Sequence, residues 1–337
     1  MRFIAGVIGS VLVPGVGQAL VGRWRRAAFW LVCAAASLLA LWVSVWTLPL
    51  TLVLRLMGIV DGIRLLYAAR DRPAFDWPAA FVALAVSAAL AGAARIELLE
   101  AFRMPSSSTY PTLHIGDHVF VDKLGPRLRG VARGDLIVFR NPCAPDRDYV
   151  KRVIATAGQT VEVRCDVVYV DGKPLVSRLV PGDCHYEDQR EGTDTWYEVA
   201  CSEYVEVSGD RAYHTYHEAD RPERDRAGAG ARERDFPRLD HWTPPSCAGS
   251  DPLSSGSAPG ETSPLGAVVQ SRAAAGACEP QLHYVVPDGH VFTLGDNRPN
   301  SNDSRYWGSV PLGNVIGRVT GIWLPGRDQW RRFGGVN

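Results

Sequence analysis

The sequence predicts a mainly β protein: an antiparallel β-sheet domain behind a multi-pass α-helical membrane anchor. Three observations predict it. Uncharged apolar runs crowd the first hundred positions, short β-branched and aromatic runs with turn signals follow, and a polar stretch interrupts them late. The resulting boundaries are 1–100 for the anchor and 101–217 for the first part of the β domain. Residues 218–280 read as a low-complexity flexible insertion, and 281–337 as the closing part of the domain.

In the anchor, segment 27–48 has 22 residues without a charge, and about 20 cross a bilayer core as a helix. Segment 77–94 adds 18 more. Segment 49–69 is apolar except for Arg55, Asp61 and Arg64, and the last two are spaced to pair on one helix face. Segment 3–21 carries Pro14 and the glycines Gly6, Gly9, Gly15 and Gly17, so it spans, re-enters or is a cleaved signal peptide. Its glycines read as helix-packing positions, because no strand–turn–helix context supports a nucleotide loop. Three to four membrane segments result. Arginines cluster at Arg23, Arg25, Arg26 and at Arg64, Arg70, Arg72, and the positive-inside rule places both clusters in the cytoplasm. Everything after about residue 100 is then exterior to the cytoplasmic membrane.

Charge and cysteines agree with that split. The 337 residues hold 36 Lys+Arg and 36 Asp+Glu, but residues 1–104 carry +5 and the remainder −5. An acidic exterior part without a basic, aromatic-studded stripe argues against nucleic-acid binding. Cys33 sits in the anchor, while Cys143, Cys165, Cys184, Cys201, Cys247 and Cys278 are exterior, where disulfides form. Six cysteines allow 15 pairings, and spacing does not choose among them. No Cys-x-x-Cys occurs, so no metal is expected; the pairs His114/His118 and His214/His217 read as solvated surface histidines.

The strands of the exterior part are 119–121, 136–139, 149–154, 161–163, 167–170, 284–286, 291–294 and 316–324, with turns such as Gly116-Asp117, Gly134-Asp135 and Asp171-Gly172 between them. Residues 218–280 turn to Arg/Asp/Glu and then Gly/Ser/Pro/Ala, too polar to bury a core.

Three polar clusters break the strand pattern. Pro105-Ser-Ser-Ser-Thr-Tyr-Pro-Thr-Leu follows the anchor, Lys151 and Arg152 interrupt an apolar strand, and Gly295-Asp-Asn-Arg-Pro-Asn-Ser-Asn-Asp-Ser-Arg-Tyr-Trp-Gly is too polar for a strand. Alternation sends Lys151 and Arg152 to opposite faces, so one of them points into the core. A desolvated lysine has a lowered pKa and can act as a neutral base. No Gly-x-Ser-x-Gly elbow occurs, which leaves a serine–lysine pair as the available nucleophilic chemistry.

With Arg133-Gly-Asp-Leu-Ile-Val-Phe between the first and second clusters, the blocks stand in an order that resembles bacterial type I signal peptidases. These are membrane-anchored serine proteases that remove signal peptides from exported proteins. The resemblance covers 100–205 and 282–325. It implies Ser108 as nucleophile, Lys151 as general base, and Ser106 with the Ser108 N–H as oxyanion donors. It also implies Ser301 as the residue orienting the lysine, with Asp303, Arg305, Arg152 and Asp296 in support. Pockets for small side chains would draw on Phe102, Met104, Leu113, Val119, Tyr149 and Val150. The chain departs from the family pattern at Ser107, at Thr109 where Met is usual, and at Ala155-Thr-Ala-Gly-Gln after the lysine strand. The resemblance further implies no cofactor, preproteins bearing signal peptides as partners, a phospholipid membrane and proximity to the export machinery. The site would face the exterior of a bacterial cytoplasmic membrane. A non-catalytic preprotein-binding paralogue and a peptidase dedicated to one cargo are the alternative readings.

Overall fold

The structure, a computed structural model, describes residues 2–70, 75–190, 192–228, 234–238, 266–272, 275–276, 278–327 and 329–336. The N-terminal part folds as α1 (Arg2–Leu12), α2 (Val16–Leu20), α3 (Trp24–Val43), α4 (Leu48–Ala68) and α5 (Trp77–Ala93). Segment 3–21 is therefore broken in two, at Pro14 and at Gly15 with its φ of 104°. The glycines do pack helices: a Cβ at Gly17 would lie 3.2 Å from Gly62 Cα in α4. Asp61 bonds across helices rather than along its own. Arg26 Nη1, Gln18 Nε2 and Trp30 Nε1 donate to it at 3.1, 3.1 and 3.0 Å. Among the described residues, Trp24–Val43 and Trp77–Leu98 are long and apolar enough to cross a membrane. Their outward-facing Phe29, Val32, Leu39, Phe81 and Val82 are exposed.

Among the described residues the β domain contains three antiparallel sheets. The largest runs in the order Leu99–Arg103, His118–Asp122, Val315–Leu324, Leu136–Arg140, Asp148–Thr156, His290–Leu294 and Val310–Pro311, and Gly334–Gly335 also pairs with Val315–Leu324. Every run read as a strand from its β-branched pattern lies within one of the observed strands or overlaps it. The second sheet orders Val268–Gln270, Leu282–Val285, Thr160–Arg164, Val167–Val170 and Lys173–Pro174. In the third, the long strand Trp196–Ser208 pairs through its first part with Cys184–Gln189, and through its last part with Arg211–Glu218 on one side and Val176–Leu179 on the other. The strand carrying Lys151 sits between one neighbour 14 residues earlier (Ile137 opposite Lys151) and one 142 residues later (Leu294 opposite Arg152), because the late hairpin returns beside it.

The stretch 218–280 is more structured at both ends than its composition suggests. It contains the helix Arg221–Ala227, whose Arg221 is buried with its guanidinium 4.0 Å from the Tyr204 ring. Phe236 bridges to Val163 and packs with Tyr284 and Phe292 in the core. Val268–Gln270 joins the second sheet, and Cys278 is bonded to Cys165. Residues 239–265 lie outside the described residues. A short Gly/Ser linker in place of all of 218–280 should therefore unfold the second sheet. Losing the Phe236 ring alone costs about 3–5 kcal/mol, and losing the disulfide about 2–5 kcal/mol. Thermal unfolding of the linker variant at the native midpoint would contradict this.

Cys184–Cys201 is the other disulfide with both ends described, and it joins directly opposed residues of the third sheet. Cys143 is also disulfide-bonded, Cys33 is free, and Cys247 lies outside the described residues. The expectation of surface histidines fails for His217. It is 1% exposed, because strand Arg211–Glu218 turns it inward beside Thr215 and Glu206.

Candidate active site

Residues 104–117 form a loop between the first two strands of the large sheet. Its ends are pinned by Met104 N–H to Asp117 O and Gly116 N–H to Met104 O, both at 2.8 Å. Ser108 lies on this loop, partly exposed, while Ser107 and Thr109 on either side are buried. Lys151 lies in Asp148–Thr156, opposite Ile137. Although 43 positions separate them, Lys151 Nζ and Ser108 Oγ are hydrogen-bonded at 2.7 Å. Ser106 Oγ is 3.3 Å from Ser108 Oγ. Among the described residues the Ser108 N–H donates to no main-chain oxygen, which leaves it available for a bound group.

Lys151 is 2% exposed. Burial lowers its pKa from 10.5 to about 8; Asp303 and Asp296 pull it back up, and Arg305 opposes them. A desolvated ammonium loses hydration that a neutral amine does not need, so the neutral base gains. A drop from 10.5 to about 8 enlarges the neutral fraction at pH 7 roughly 300-fold. Asp303 does not restore the lysine's charge because it is already paired. Arg305 donates to both its oxygens, Nε to Oδ1 at 2.8 Å and Nη2 to Oδ2 at 2.9 Å. Burial alone would raise the Asp303 pKa; Arg305 outweighs it, and the Gly295 N–H adds a bond at 3.0 Å, so the carboxyl stays ionised. If Lys151 is the base, the cleavage rate should climb about tenfold per pH unit in acid and level off above about pH 8. A profile of kcat/KM against pH checks this, and a flat profile down to pH 6 would contradict it.

Both Lys151 and Arg152 are buried, not one of them. Neighbouring side chains leave a strand on opposite faces, and the third sheet covers the second face with Tyr213, whose ring lies 4.0 Å from the Arg152 guanidinium. Arg152 meets Asp296 with two bonds, Nε to Oδ1 at 2.8 Å and Nη2 to Oδ2 at 2.7 Å, and gives Nη1 to Gly134 O at 2.8 Å. Thr112 Oγ1 donates to the same carboxylate at 2.5 Å. One ion pair thus joins the serine loop, the lysine strand and the late polar block.

Ser301 is buried beside these groups, 3% exposed; its Oγ makes no hydrogen bond of ordinary geometry to Lys151, and its hydroxyl helps to hold the Asp303 pKa down. It packs against Gly295, where a Cβ would meet its Oγ at 2.2 Å, so only glycine fits there.

A cleft of about 1030 Å³ opens over the pair. Met104, Tyr149 and Val150 line it as anticipated. Leu113 and Val119 do not reach it: they are fully buried in the core beneath, where Phe102 and Val150 pack against them. No motif in the sequence marks the opposite wall. It is the hairpin of Cys184–Gln189 and Trp196–Ser208, which brings Asp188, Gln189, Arg190, Thr193, Asp194 and Tyr197 to the cleft. Asn300 ties this wall to the serine loop, donating to Asp188 Oδ2 at 2.6 Å and to Ser107 Oγ at 2.9 Å. Behind the late block, Arg298 forms a fully buried bidentate pair with Glu206. Burial would raise the Glu206 pKa, but Arg298 and His217 bring it down to about 2. The paired cysteines Cys184 and Cys201 were the sequence signal closest to this wall, but spacing did not say which cysteines pair.

The chain is similar to known proteins. Signal peptidase I of Aquifex aeolicus is 32% identical over 238 residues, covering 68% of this chain and 77% of that protein. Signal peptidase I of Pseudomonas aeruginosa is 25% identical over 257 residues, covering 68% of this chain and 66% of that one. A crystal structure of a signal peptidase I from Enterococcus faecalis aligns with 56% of this chain and 97% of its own at 22% identity, with a TM-score of 0.23. The family model described as "Signal peptidase, peptidase S26" matches residues 77–324, which include the serine loop, the lysine strand and the late polar block, and the chain belongs to that family.

Proposed function

We propose that the chain is a membrane-anchored serine endopeptidase that cleaves signal peptides from exported preproteins with a Ser108/Lys151 dyad. One observation carries the reading: a serine hydroxyl within 2.7 Å of a buried lysine whose pKa is lowered, at the floor of a cleft. Neutral Lys151 takes the Ser108 proton as Oγ attacks the scissile carbonyl. The Ser108 N–H and the Ser106 hydroxyl face the developing oxyanion. The lysine then returns the proton to the leaving amine, and the acyl-enzyme ester is hydrolysed with Lys151 again as base. Asp303 and Arg305 hold the late block against the lysine while their charges cancel, and Ser301 fills the space beside Gly295. Met104, Tyr149 and Val150 leave room for small side chains next to the bond.

The exposed apolar faces of α3 and α5 support the anchor, since soluble proteins rarely expose contiguous apolar patches of that extent. With both arginine clusters cytoplasmic, the cleft faces the exterior of the cytoplasmic membrane. The purified full chain, in lipid vesicles, should cut a model preprotein after a small residue that has another small residue two positions before it. Chelator should not stop it. Binding without cutting would favour the non-catalytic paralogue, and cutting confined to one cargo would favour the dedicated peptidase.

A further inference from the structure

The covalent route from the anchor to the β domain is a single connection, from α5 through Ala94–Leu98 into Leu99–Arg103. One connection leaves a domain free to rock unless a packed interface restrains it. The turn between α3 and α4, residues 44–47, supplies that interface. At the end of α3, Trp42 Nε1 donates to Asp122 Oδ1 at 2.7 Å. Asp122 is buried, and the same oxygen accepts the N–H groups of Leu124 and Gly125 at 3.0 and 2.8 Å. Val45 is 1% exposed and fills the space left by a missing side chain on strand Val315–Leu324. A Cβ at Gly321 would come within 2.6 Å of Val45 Cγ1. Trp46 stands edge-on to Phe333 at 5.3 Å and covers Gly334, where a Cβ would meet its Cζ2 at 2.5 Å. The rest of Trp46 is exposed, as suits an indole at a membrane–water boundary.

The partners of this turn are central to the large sheet. Val315–Leu324 pairs with Leu136–Arg140, and that strand pairs with the one bearing Lys151. We propose that Trp42, Val45 and Trp46 form a positioning clamp that sets the height and tilt of the cleft above the bilayer. The clamp makes the length of the substrate's apolar helix a determinant of specificity, because the helix is held in the same bilayer. The proposal rests on the reading of the chain as a membrane-anchored signal-peptide endopeptidase.

The test uses the full chain in phosphatidylethanolamine/phosphatidylglycerol vesicles, unaltered and as Trp42→Phe/Val45→Ala/Trp46→Ala, with Val45→Ala alone in case the triple variant fails to fold. Two substrates are compared: a short soluble peptide with a small-x-small site, and preproteins whose apolar helix is lengthened one leucine at a time. The triple variant should cut the peptide within about twofold of the unaltered chain and the preprotein about 10- to 100-fold more slowly, the size of loss expected from misplaced reactants. Its tolerance of helix length should widen. Amide exchange over 318–324 and 333–336 should quicken in step. Unchanged preprotein cleavage and length dependence, equal loss on both substrates, or unchanged exchange would each overturn the clamp. Failure of the unaltered chain to cut either substrate would overturn the endopeptidase reading instead, while the exchange measurement still reports on the clamp.

Discussion

Ser108→Ala and Lys151→Met should each yield a folded protein with no preprotein cleavage above background. On the proposed mechanism the first variant removes the attacking oxygen, and the second removes the group 2.7 Å away that would take its proton. Neither side chain holds the fold. Ser108 is partly exposed, and replacing a buried lysine with a thioether of similar length removes a desolvated charge instead of creating one. Ser106→Ala should cost on the order of 10²–10³ in rate, as for losing one oxyanion donor. Ser107→Ala should leave the chemistry intact. Its hydroxyl is buried and accepts from Asn300, so its loss should appear as about 1 kcal/mol of stability. Rates on purified variants, with circular dichroism to confirm folding, check the order. Full activity in Ser108→Ala protein would sink the dyad, and abolition by Ser107→Ala would shift the register by one.

Asp296→Ala should be the most destabilising single change near the site, costing about 3–5 kcal/mol, because it strands the guanidinium of Arg152 in the interior. Against a total of about 5–15 kcal/mol for a domain, that loss threatens folding at physiological temperature. Arg152 is 0% exposed, and its bidentate pair with Asp296 spans three parts of the chain. Arg152→Met with Asp296→Leu removes both charges together and should be far milder than Asp296→Ala, since no charge is left unmatched. Denaturant unfolding of the single and double variants makes the comparison. A cost under about 1 kcal/mol for Asp296→Ala would show that the other partners of Arg152 suffice.

Much of this protein is legible in its residue order. Strands announce themselves where Val, Ile, Phe and Tyr recur between Gly-Asp turns, because that pattern depends only on local backbone preference and a period of two. The serine loop, the lysine strand and the late polar block are legible for the opposite reason: polar residues there violate the local pattern, and function accounts for the violation. Apolar run length marks the helices, since about 20 such residues are what a helix needs to cross a bilayer core. Other features depend on which distant surfaces meet. Alternation allowed Lys151 or Arg152 to be buried; both are, because the third sheet lays Tyr213 over the second face. The depressed pKa of Lys151 follows from desolvation, which depends on everything packed around it and on no single neighbour in the chain. Leu113 and Val119 lie beneath the cleft instead of lining it, His217 lies inside instead of at the surface, and Phe236 sits in a core although its segment is polar in composition. Polarity along a chain says what a residue can tolerate. Whether water reaches it is settled by contacts between strands far apart in order.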